Sequence, residues 1–64
     1  MKNLKTIFVV DETKLTPIGL DRIPNTGELV KLDLDKANGE FEVLNIETFI
    51  IRKEIEYTVY LNRI

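Results

Sequence analysis

Apolar positions along this chain recur with a period of two, the spacing of strands that turn one face to a core. Ile7-Phe8-Val9-Val10 is a β-branched and aromatic run of strand length, closed by the charges of Asp11 and Glu12. Residues 11–28 read as irregular, punctuated by Pro17, Gly19, Pro24 and Gly27. A loop of that length is unusual inside a small domain and is commonly functional. Alternation returns at residues 29–34, with Val30, Leu32 and Leu34 on one side and Leu29, Lys31 and Asp33 on the other. Asn38-Gly39 then predicts a two-residue hairpin turn, because both residue types tolerate positive φ. Beyond it Phe41 and Val43 face one way and Glu40 and Glu42 the other, while Leu44 and Ile46 fall on the opposite parity. Either both faces of that strand are partly covered or a bulge intervenes.

Over residues 48–61 the odd positions carry Phe49, Ile51, Ile55, Tyr57, Val59 and Leu61, broken only by Lys53. The even positions carry Ile50, Arg52, Glu54, Glu56, Thr58 and Tyr60. Helical spacing fits worse, since apolar residues at 49, 50, 51 and 55 would wrap a helix rather than stripe it. The segment is two strands joined near Arg52-Lys53-Glu54, or one long strand bent there. The expected core is Val30, Leu32, Phe41, Val43, Ile55, Tyr57 and Val59. Four to five strands of this kind predict an all-β fold in one domain over residues 1–64. Its form is a small curved antiparallel meander or a partly closed barrel, closure being one way to protect strand edges.

Pro24, Gly27, Glu28 and Val30 lead into one strand, and Phe41, Val43 and Ile46 occupy a strand after a tight turn. Over residues 23–61 this pattern resembles the small SH3-like β-barrel proteins of bacterial and phage type. The resemblance implies a partly closed barrel and speaks to fold far more than to activity.

Composition narrows the chemistry. The chain has neither Cys nor His, which removes disulfides, thiolate nucleophiles, the commonest general base and the commonest zinc ligand. No cofactor or metal is expected. Nine basic and 11 acidic residues leave a formal charge of −2, which offers no general attraction to nucleic acid or anionic lipid. No segment approaches the roughly 20 apolar residues of a membrane span. The run at Ile7 is too short for a secretory segment, so a cytoplasmic location is expected. A chain of 64 residues without staples must rely on very good packing or on self-association.

Several motifs invite a chemical reading. Ile-Pro-Asn-Thr-Gly at residues 23–27 imitates a sortase signal, but more than half of the chain follows it where a short hydrophobic tail is required, so it reads as a turn. Residues 33–40 imitate a calcium loop, yet Asn38 and Leu44 stand where an EF-hand needs Gly and an acid. Glu40 with Glu42, and Glu54 with Glu56, share strand faces about 6–7 Å apart, a spacing also found on any solvated strand. With no phosphate loop of known spacing, the chain is not expected to be an enzyme.

Two binding surfaces remain. Leu44, Ile46, Ile50 and Tyr60 exceed what one core face needs and form a candidate surface for a protein partner or a second copy. Lys31, Arg52, Lys53, Tyr60 and Arg63 are candidate contacts to nucleic acid or a nucleotide. The expected function is a non-catalytic module binding a protein partner and itself, most simply as a homodimer. The alternative is a nucleic-acid or nucleotide-binding small barrel.

Overall fold

The computed structural model describes residues 3–64, all of them strand, turn or loop. Strands β1 (Leu4–Val10), β2 (Thr13–Lys14), β3 (Ile18–Leu20), β4 (Leu29–Leu34), β5 (Ala37–Ile51) and β6 (Glu54–Arg63) form one sheet. Its order is β2-β1-β6-β5-β4, with β3 also paired to β1. The fold is all-β. Strands β4, β5 and β6 make an antiparallel meander. Strand β1, however, joins β6 in parallel, from Lys5 opposite Glu56 to Val10 opposite Leu61. Parallel neighbours need a long crossover, and here the whole intervening chain supplies it.

The register explains the core. Phe8 lies beside Val59, Val10 beside Leu61, Leu61 opposite Val43, and Phe41 opposite Val30, so one face of the four longest strands is apolar. Phe41, Val43 and Val59 are fully buried at its centre, with Phe8, Val10, Leu15, Ala37 and Leu61 around them. Ile18 and Leu20 from β3 pack onto this cluster, and so do Val30, Leu32 and Leu34 from β4. Both edges of the sheet therefore serve one core, and the sheet curls. The buried Thr6 hydroxyl donates to the Leu4 carbonyl at 2.9 Å. Among the described residues no buried side-chain polar atom lacks a partner.

Four sequence expectations need correction or resolution. The β4–β5 turn lies at Asp35-Lys36, with Leu34 opposite Ala37, and Asn38 and Gly39 belong to β5. A turn at Asn38-Gly39 would set Phe41 opposite Lys36. The observed register sets it opposite Val30 and buries Ala37, so apolar pairing outweighs the local turn preference. Gly39 still has a φ of +120°. Gly39→Val is expected to cost about 1 kcal/mol through backbone strain, read from urea unfolding midpoints.

The second concerns Leu44, the extra residue of a bulge between Val43 and Asn45. The core parity moves there from Phe41 and Val43 to Ile46, which packs on the cluster opposite Val59. The third concerns residues 11–28, which are not one open loop. Val10 turns back through Asp11 and Glu12 so that β2 pairs with β1, and β3 pairs further along the same edge. Two- and three-residue strands interrupted by Pro17 leave too little alternation to be seen in the sequence. The rest of that segment does form the predicted turn. Pro24 is buried, Gly27 has a φ of +87°, and the Glu28 N–H donates to the Asn25 carbonyl at 3.0 Å. The Arg22 guanidinium grips Glu28 through two bonds of 3.1 and 2.5 Å, holding that carboxyl below its ordinary pKa.

Last, residues 48–61 are two strands joined at Arg52-Lys53. Ile55, expected in the core, is exposed; Val30, Leu32 and Tyr57 are half-buried, and Phe41, Val43 and Val59 are buried as expected.

Candidate functional site

Strands β5 and β6 outrun their neighbours. β4 accompanies β5 only to Glu42, and β1 accompanies β6 only from Glu56 to Leu61. At Val43 the connecting loop takes over, with the Val43 N–H donating to Glu28 at 3.0 Å and the Gly27 N–H to Val43 at 2.8 Å. From Leu44 to Ile51 the outer edge of β5 has no partner strand among the described residues. Residues 49–55 thus form a two-stranded arm. Ile50 stands opposite Ile55 on one face, and on the other Phe49 stands opposite Glu56 and Ile51 opposite Glu54. With no third strand to cover them, Phe49, Ile50, Ile51 and Ile55 are 43%, 75%, 55% and 50% exposed. The exposed apolar side chains are thus split between the two faces of the arm, with Glu54 and Glu56 beside Ile51 and Phe49.

The turn at the end of the arm is strained. Arg52 and Lys53 have φ of 48° and 72°, the left-handed pair that a two-residue hairpin demands. Asn-Gly would adopt it with little cost, whereas long side chains there cost about 1 kcal/mol each. Lys53→Gly is expected to raise stability by up to about 1 kcal/mol, measured on dilute protein by thermal or urea unfolding. Asp11 and Glu12 form a similar turn, with φ of 50° and 65°, but there Asp11 is paired with Arg63 at 3.2 Å. Among the described residues, Arg52 and Lys53 make no ion pair.

The four residues of the candidate partner surface fall in different places. Ile50 belongs to the arm, and Leu44 is exposed at the bulge. Ile46 shares the core face, whereas Tyr60 lies on the opposite face, opposite Asn45. The Tyr60 hydroxyl donates to the Glu47 carboxylate, and this bond holds the phenol pKa above its usual value. The candidate nucleic-acid contacts are also dispersed. Lys31 is opposite Glu40 on β4, and Arg63 lies over the Phe41 ring at 5.2 Å while bonded to Asp11. Arg52 and Lys53 sit at the far end of β6 from Arg63, roughly 30 Å along the strand.

Phe49, Ile51 and Ile55 are site residues that parity alone assigns to the core stripe. The missing signal is the turn: two residues between Ile51 and Glu54 pair odd positions of β5 with even positions of β6. The stripe of Phe49 and Ile51 therefore lies on the face opposite to that of Ile55, Tyr57 and Val59.

A cleft of about 320 Å³ lies between the β2–β3 connection and the β4–β5 turn, lined by Leu15, Thr16, Ile18, Leu34, Asp35 and Lys36. It offers one carboxylate and one ammonium over an apolar floor. The Glu pairs are dressed as surface residues. Glu56 bridges Lys5 at 3.1 Å, and Glu40 and Glu54 are exposed. Among the described residues no three His, Cys, Asp or Glu side chains gather as metal ligands. No helix among them is long and apolar enough to cross a membrane. The chain matches no known protein family, no curated protein and no solved structure.

Proposed function

We propose that this chain is a non-catalytic interaction module that docks on protein through the β5–β6 arm. The observation that carries the reading is the arm itself, four large apolar side chains exposed on a hairpin that no other strand covers. Covering each such side chain contributes about 1.5–3 kcal/mol when burial is complete. Part of the backbone on β5 is equally ready to pair. Binding by a small barrel of this kind also accords with the resemblance to SH3-like proteins. The nucleic-acid alternative draws less support, because Lys31, Arg63 and the Arg52-Lys53 pair do not share one surface.

A photo-crosslinking residue placed at Phe49 in living cells is expected to capture protein. The same residue at Asp33, exposed on the far edge of the sheet, should not. Equal capture at both positions, or at neither, overturns the proposal.

A further inference from the structure

The chemistry of the arm names its occupant. Resting on the reading above, we infer that the arm pairs with the same arm of a second copy, edge to edge along β5, about a two-fold axis beside Ile50.

The charges favour a self-complementary partner. Glu47 precedes the tip, Arg52 and Lys53 occupy it, and Glu54 and Glu56 follow. A surface built for a strongly acidic or basic partner would carry one sign. Both signs, set on either side of Ile50, suit a copy of the same strand running the other way.

Geometry then selects the register. Residues directly opposite each other in antiparallel strands share a face. A two-fold axis perpendicular to the sheet keeps each face on its own side, so the axis must pass beside a residue. At Ile50 it sets Ile50 opposite the partner's Ile50 and Phe49 opposite the partner's Ile51, the last residue of its β5, and leaves Glu47 beside the partner's Arg52-Lys53 turn. Moved to Phe49, it would set Glu47 against the partner's Ile51. Moved to Ile51, it would leave Phe49 and Ile50 facing the partner's turn, where its β5 has already ended. Of these three, only the Ile50 register matches apolar with apolar and brings Glu47 beside the partner's basic turn.

The result is continuous on both faces. Ile55 already stands opposite Ile50 within one chain, so the dimer carries an unbroken row of four isoleucines. On the other face Phe49, opposite Glu56 in its own hairpin, meets the partner's Ile51. The pairing also engages residues 49–51 at the end of the β5 edge that no strand covers. It gives Arg52 and Lys53 a use for their strained left-handed backbone, because their ammonium and guanidinium groups acquire acids to face.

The test is sedimentation velocity across a hundredfold range of protein concentration. The wild-type chain is expected to form a dimer. Glu47→Lys alone, and Arg52→Glu with Lys53→Glu alone, should each weaken it about tenfold or more by placing like charges together. An equimolar mixture of the two variants should recover the wild-type affinity, since each chain then meets its opposite charge. Ile50→Glu should leave the circular dichroism of the monomer unchanged and abolish the dimer.

A wild-type chain that stays monomeric overturns the inference, as does a dimer that survives Ile50→Glu or a mixture that fails to recover. If the chain is monomeric while the crosslinker at Phe49 captures other proteins, the inference falls and the interaction module stands. If Phe49 captures nothing, both fall.

Discussion

Phe41→Ala is expected to lose about 3–5 kcal/mol of stability, most of what an unstapled domain of this size possesses. The ring is 0% exposed and sits where β4, β5 and β6 converge, opposite Val30 on one side and Arg63 on the other. Removing it opens a cavity that the backbone of three paired strands cannot close. It also takes away the surface over which the Arg63 guanidinium lies at 5.2 Å, a cation–π contact worth about 0.5–1 kcal/mol at an exposed site. Urea unfolding at one fixed protein concentration reads the loss directly, and concentration must be held because association with a second copy would shift the midpoint. A variant within 1 kcal/mol of wild type would place Phe41 outside the core and reverse the faces of β5.

Leu61→Ala and Ile55→Ala should differ sharply although both residues lie on β6 with the same parity. Leu61 is packed between Val10 of β1 and Val43 of β5 and is buried, so its truncation should cost about 2–5 kcal/mol. Ile55 faces solvent on the arm, and its truncation should change the monomer by no more than about 0.5 kcal/mol. The comparison is made in dilute protein, where only the fold is measured. A similar cost at both positions would mean that the arm is packed against the rest of the sheet rather than standing clear of it. At high concentration, where copies associate, Ile55→Ala should become costly as well.

Much of the site was visible in the sequence without being recognisable as one. Ile50 exceeds what one core face needs, and the break expected near Arg52-Lys53-Glu54 coincides with the observed turn. The partners of Ile50 escape a reading by parity because Phe49, Ile51 and Ile55 continue the stripe that fills the core elsewhere. A stripe cannot show whether another strand lies over it. The bulge at Leu44 was one of two readings of a parity change, and only the pairing with β6 decides between them. Asn38-Gly39 shows the opposite error, a strong local cue defeated by a better register three residues earlier.

Strand character, the exclusion of thiol and imidazole chemistry, and the central core residues Phe41, Val43 and Val59 are legible in residue order alone. These follow from local properties: β-branched and aromatic composition, alternation, and which side chains exist at all. Tertiary structure decided the parallel union of β1 with β6, the position of the first hairpin turn, and above all where neighbouring strands stop. Burial of a strand depends on the strand beside it, and that neighbour lies up to 51 residues away, as between Lys5 and Glu56. The same alternating pattern is therefore core at Val59 and solvent-exposed at Ile55, and no local rule separates them.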